Sequence, residues 1–165
     1  MRLKKQKVAA TKVRLAPNLA DRIRIAIIWA EYNSEITLSL RRKCEKALVE
    51  NGILPGNIDH FSVPGCFEIP LIAQKLAAER RYDAFIALGA VIRGDTHHFE
   101  LVANECARGV MEVSLKHGVP IIFEVLATYN RRDALRRAGN NRANKGIEAA
   151  EAALSMLASL HNLEK

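Results

Sequence analysis

The chain predicts an α/β fold with a parallel sheet covered by helices on both faces, and three features of the sequence lead there. Four short apolar runs rich in β-branched residues alternate with stretches of helical periodicity, the pattern of strands joined by helical crossovers. Aromatic residues are scarce at 5% while Ala, Ile, Leu and Val are plentiful, which suits alternating strands and helices better than a β-sandwich. With 165 residues, 49% of them hydrophobic, the chain is long enough for one domain with a substantial core. We expect a basic arm over residues 1–20 and a single domain over 21–165.

Ile23 to Trp29 is a near-continuous apolar run, the mark of a strand covered on both sides. Asn33 or Ser34 can cap the next element, a helix with Ile36, Leu40, Cys44, Ala47 and Leu48 on one face. Asn51-Gly52 ends it with a left-handed stop. Asp59 to Val63 reads as a second strand, Pro64-Gly65 as a turn, and Pro70 as the first turn of a helix that carries Leu71, Ile72, Leu76 and Ala77. A third strand, Asp83 to Ile92, precedes a helix from about His97 to His117 that Gly118 closes. Val119 to Ala127 is the fourth strand. Helices over Arg131 to Ala138 and Asn144 to about His161 follow, joined by the polar turn Gly139-Asn140-Asn141-Arg142. Strands in this order predict right-handed crossovers and a ligand site at the carboxyl ends of the strands. Trp29 to Asn33, Pro64 to Glu68, Ala90 to His98 and Phe123 to Tyr129 all fall at such ends.

Composition removes several classes of function. Cys44, Cys66 and Cys106 are odd in number and widely spaced, so neither a disulfide framework nor a zinc site is expected; they read as reduced, partly buried thiols. His97 and His98 diverge by about 100° on a helix and form no chelating pair, so no metal is expected. No apolar run approaches the roughly 18 residues that span a bilayer, and the basic N-terminus lacks the apolar core of a secretory signal. We expect a cytoplasmic protein without membrane contact. The net charge of +7 is concentrated in Arg2, Lys4, Lys5, Lys7, Lys12 and Arg14, ahead of any acidic residue. The positive charge therefore describes a solvated arm and not the domain, and no aromatic residues interleave with it for base stacking, so nucleic acid is not an expected partner.

The chemistry concentrates in Gly89-Ala90-Val91-Ile92-Arg93-Gly94-Asp95-Thr96-His97-His98. A glycine, a short polar residue and a hydroxyl residue between strand and helix leave backbone N–H groups at the positive end of the helix dipole. That is a seat for phosphate beside an imidazole able to move protons near neutral pH.

These residues, with Tyr32-Asn33, Val63-Pro64-Gly65-Cys66-Phe67-Glu68-Ile69-Pro70, Val119-Pro120-Ile121-Ile122-Phe123, Arg137-Ala138-Gly139 and Asn144-Lys145-Gly146, resemble the lumazine synthases of riboflavin biosynthesis. The likeness runs from about Ile23 to Met156. It implies a flavodoxin-like three-layer sandwich with a four-stranded parallel sheet, open to extension by an N-terminal strand on a neighbouring subunit. It also implies a homopentamer with active sites shared between subunits; a decamer and a sixty-subunit shell remain open. The implied reaction condenses 5-amino-6-(D-ribitylamino)uracil with 3,4-dihydroxy-2-butanone 4-phosphate, without cofactor or metal.

By resemblance, His98 is the catalytic proton-transfer group. Tyr32 stacks on the pyrimidine. Cys66 (through its backbone), Phe67 and Glu68 hold the ribityl side, and Ala90, Val91 and Ile92 line the ring pocket. Phe123 closes that pocket from an adjacent subunit. Asp95, Thr96 and Arg137 form the phosphate site, with the Asp95 side chain turned outward or capping the helix so that it does not oppose the anion. Arg93 reads as a structural partner and Trp29 as packing. Lys145 matches another family lysine. Two positions depart from the pattern: Glu124 stands where a small residue is usual, and Asn141 replaces a lysine. A non-catalytic flavin or nucleotide carrier and a shell scaffold are the competing readings.

Overall fold

The computed structural model describes residues 20–163. Four strands, β1 (Ile25–Ala30), β2 (Ile58–Val63), β3 (Ala84–Ile92) and β4 (Ile121–Thr128), form one sheet in the order β2-β1-β3-β4. Every pairing is parallel, from Ile25 opposite Ile58 and Ala84 to Phe85 opposite Ile121. Five helices connect and follow them: α1 (Ser34–Glu50), α2 (Ile69–Ala78), α3 (His98–His117), α4 (Arg131–Arg137) and α5 (Lys145–Leu163). The expected fold class is the observed one. The arm expected over residues 1–20 lies, apart from Ala20, outside the described residues.

Alternation along the strands sorts the core into two layers. Ile25 and Ile27 of β1 and Ala84, Ile86 and Leu88 of β3 point to one side, where they meet Ile36, Leu40 and Leu48 of α1, Ala134 of α4 and Ala149, Ala153 and Leu154 of α5. Ala26 and Ile28 of β1 and Phe85 and Ala87 of β3 point to the other, against Ile69 and Ala73 of α2 and Cys106 and Val110 of α3. β1 and β3 are buried on both faces because they are the central strands, which explains their unbroken apolar sequence.

One expectation about local structure changes. Asn33 precedes α1 with φ 61° and ψ 43°, and its side chain caps nothing; its Nδ2 instead donates to the Ala90 carbonyl at 2.9 Å. A tolerance for left-handed backbone, not a capping oxygen, is why asparagine suits this place. A 3₁₀ turn over Cys66–Glu68 precedes α2, and Pro70 lies within the first helical turn as expected.

The Asn144-Lys145-Gly146 signature has a packing cause. Asn144 is fully buried: its Oδ1 accepts from the Gly146 N–H at 2.8 Å and its Nδ2 donates to the Gly139 carbonyl at 3.0 Å. At Gly146 the backbones of α1 and α5 nearly touch, since a Cβ there would lie 2.1 Å from the Leu40 carbonyl oxygen.

Candidate active site

Three chain segments meet over the carboxyl ends of β1, β2 and β3, at the point where the strand order reverses. They enclose a cleft of about 670 Å³ lined by Tyr32, Asn33, Pro64 to Glu68, Ala90 to Ile92, Gly94, Thr96, His98 and Phe99, with Leu101 and Val102 at its side. Backbone bonds lock the first two segments together: Glu31 N–H donates to Val63 O at 2.8 Å and Tyr32 N–H to Pro64 O at 3.1 Å. The Asn33 side chain ties the first to the third. The cleft is therefore built on rigid sheet ends and not on one mobile loop.

Cys66 forms its floor. A Cβ at Gly89 would lie 2.5 Å from Cys66 Sγ, so glycine at this point of β3 is what lets the turn after β2 sit down on the sheet. Burial pushes the Cys66 thiol up to about 11, which keeps it protonated and unreactive at neutral pH. Cys44 and Cys106 are also buried and free of disulfides. Above the floor, Phe67 is 57% exposed and Tyr32 74% exposed, leaving two aromatic faces open to a ligand. One carboxylate oxygen of Glu68 accepts the Gly65 N–H at 3.0 Å, which fixes the group while leaving its other oxygen available to a hydroxyl.

The turn from Arg93 to His97 delivers His98 as the first residue of α3, beside the cleft. The Thr96 hydroxyl receives the His98 N–H at 3.4 Å. No protein atom lies within 4 Å of where a Gly94 Cβ would stand, so the protein's own packing does not require glycine there and the space is open. The Asp95 side chain points to solvent and is not among the groups lining the cleft. His97 is exposed too, with Nδ1 at 3.8 Å from Glu100.

Nine of the twelve expected site residues thus come together: Tyr32, Cys66, Phe67, Glu68, Ala90, Val91, Ile92, Thr96 and His98. Asp95, Phe123 and Arg137 do not. Phe123 stands 39% exposed in the middle of the edge strand β4, and Arg137 ends α4 with its guanidinium donating to the Asp133 carbonyl at 3.1 Å. The segment from Phe123 to Tyr129 falls at a strand end as expected but does not line this subunit's own cleft, because β4 lies at the sheet edge, one strand beyond the reversal point. Arg93, read as a structural partner, has its guanidinium 5.6 Å from the centre of the Tyr129 ring. Trp29 packs on the core beneath the Arg41 guanidinium, 5.4 Å from its ring.

Asn33, within the Trp29 to Asn33 segment expected at the ligand end, also lines the cleft, as do Phe99, Leu101 and Val102, which were not singled out for it. Asn33 carried a readable signal, its tolerance of left-handed backbone, whereas the other three follow from the helix direction alone. Among the described residues no cluster of three potential metal ligands occurs, and no helix is long and apolar enough to cross a membrane.

Fold and cleft together define a flavodoxin-like α/β protein with a small-molecule site at the switch point of its sheet. The family described as 6,7-dimethyl-8-ribityllumazine synthase matches residues 22–161. A 6,7-dimethyl-8-ribityllumazine synthase of Stenotrophomonas maltophilia is 46% identical over 140 residues, which is 85% of this chain and 90% of that protein. The chain belongs to the 6,7-dimethyl-8-ribityllumazine synthase family, transferases of riboflavin biosynthesis.

Proposed function

We propose that this protein joins 5-amino-6-(D-ribitylamino)uracil to 3,4-dihydroxy-2-butanone 4-phosphate, in the cytoplasm, at sites each built from two subunits of a pentamer. The observation that carries the reading is the division of the expected residues. Tyr32, Glu68 and His98 share one cleft, while Phe123 and Arg137 stand outside it on the β4 edge and at the end of α4. A neighbouring copy that offers this edge to the open cleft supplies an aromatic cover and a fixed cation. An isolated subunit also leaves Leu101, Met111 and Leu115 between 59% and 76% exposed on α3, an apolar stripe suited to burial between copies.

In this arrangement the pyrimidine stacks on Tyr32 and Phe67, and the ribityl hydroxyls bond to Glu68 and to the backbone at Cys66 and Phe67. The N–H groups at the start of α3, the Thr96 hydroxyl and the partner-borne arginine hold the phosphate; Asp95 contributes its backbone, since its exposed carboxylate leaves the anion unopposed. The free amine attacks the ketone carbonyl, and the carbinolamine loses water to give an imine. Loss of phosphate leaves an enol that tautomerises to a second carbonyl, and the ribityl-bearing nitrogen adds to that carbonyl and expels a second water to close the ring. His98 takes a proton from the attacking nitrogen and returns one to departing oxygen. Holding two substrates in register contributes most of the acceleration, because proximity alone can lower such a barrier by several kcal/mol.

The test is a two-substrate assay on the purified protein, read by lumazine fluorescence and by phosphate release. Turnover that needs both substrates supports the reaction. A bound yellow ligand without turnover would instead favour a flavin carrier, and an inert assembly would favour a scaffold.

A further inference from the structure

Helix α4 is seven residues long, and Ala134 is the one residue within it that is buried, with Leu135 packed at the margin of the core. A helix this short does not hold its shape alone in water. One small buried side chain removes little apolar area, so packing sets its tilt and rotation only loosely. Its placement therefore depends on polar ties. Asn130 caps the start locally, its side-chain oxygen accepting the Asp133 N–H at 2.9 Å.

Two long-range ties both come from α1. Glu35 pairs with the Arg131 guanidinium at the start of α4. The Ser39 hydroxyl donates to the Ala138 carbonyl at its end, at 2.6 Å, where a helix has no partner of its own to offer. Glu35 and Ser39 are four positions apart and so share one face of α1. Together they grip α4 at both ends. Arg137 is the residue just before Ala138, and its guanidinium folds back to donate to the Asp133 carbonyl at 3.1 Å. Side chain and helix are thus one unit, and whatever fixes α4 also fixes where the guanidinium stands.

We propose that Ser39, supported by Glu35, is a positioning residue for Arg137. The hydroxyl holds the end of α4 so that the arginine's rigid fork of donors meets the phosphate of the substrate in one orientation. This rests on the reading that Arg137 completes the phosphate site of a neighbouring cleft.

The experiment uses the full-length assembled protein with Ser39→Ala, Glu35→Gln, Arg137→Ala and the double variant Ser39→Ala/Arg137→Ala. It measures kcat, KM for each substrate, and hydrogen exchange across residues 131–139 by mass spectrometry. Alanine suits a helix interior at least as well as serine, so α1 itself is kept. Ser39→Ala should raise KM for the phosphorylated substrate roughly three- to tenfold, the range that loss of one hydrogen bond supports. Its kcat and pyrimidine KM should stay within about twofold of native, because the lost alignment concerns the anion alone. Glu35→Gln should act in the same direction but by only about twofold, as an exposed ion pair contributes little. Exchange across α4 should quicken in both. With Arg137 already removed, Ser39→Ala should add nothing to KM, since the group it positions is gone.

Unchanged exchange across α4 in Ser39→Ala would overturn the grip. Native KM in Ser39→Ala beside a raised KM in Arg137→Ala would overturn the positioning role, as would equal rises for the two substrates or a further rise in the double variant. Native KM for the phosphorylated substrate in Arg137→Ala would instead overturn the shared-site reading, and the proposal with it.

Discussion

Replacing Asn144 by alanine should be among the most damaging single changes away from the cleft, and its size follows from the hydrogen bonds. The residue is wholly buried, accepts from Gly146 N–H at 2.8 Å and donates to Gly139 O at 3.0 Å, with a longer contact to Ser39 Oγ at 3.4 Å. Truncation leaves the Gly146 N–H, which has no earlier helical turn to bond to, and the Gly139 carbonyl without their partner. Each buried group stranded in this way costs about 1–3 kcal/mol. Water reaching the turn at Gly139 would relieve part of this, so a total near 3 kcal/mol is expected. For a domain of this size that is a fall of about 6–12 °C in thermal midpoint. Calorimetry at fixed protein concentration measures it, since assembly adds to apparent stability. Asn144→Asp keeps the acceptor for Gly146 and should lose distinctly less. An alanine variant within about 2 °C of the native midpoint would refute the claim that this side chain seals the start of α5.

Other changes separate packing from chemistry. Gly146→Ala should destabilise by about 2 kcal/mol or more, because the added methyl meets the Leu40 backbone and not a side chain that can rotate away; native stability by denaturant melt would contradict the close approach. His98→Ala should lower kcat roughly ten- to a hundredfold without abolishing it, as proton transfer is one part of a reaction driven by proximity. Full activity would remove His98 from the mechanism. Arg137→Ala should chiefly raise KM for the phosphorylated substrate, since the anion is present from binding onward; weaker pyrimidine binding with that KM unchanged would contradict its assignment.

Much of this was legible in the sequence because the sheet is parallel. β1 and β3 carry apolar residues on both faces, so their runs stand out without reference to a partner. The start of α3 announced itself through Gly94 and Thr96, and nine of the residues named from motif order line one cleft. What escaped were relations between distant segments. Asn33 looked like a cap because its reach to Ala90, fifty-seven positions along, exists only in three dimensions. The strand-end pattern grouped the segment from Phe123 to Tyr129 with the other three, and strand order, which no local pattern encodes, is what sets β4 at the edge and outside its own subunit's cleft. Gly146 and Asn144 read as motif letters until the approach of α1 to α5 gave them a cause.

The central claim is that each site is made by two subunits, and co-expression of two defective chains tests it most directly. His98→Ala spoils the cleft and Arg137→Ala spoils the edge. In assemblies mixed at random in equal amounts, about one site in four should pair an intact cleft with an intact neighbouring edge. Assayed at limiting phosphorylated substrate, the mixed assemblies should recover about a quarter of native activity, well above either variant alone. If every subunit carries a whole site, no mixture can restore one, and activity no greater than the average of the two parents would contradict the account.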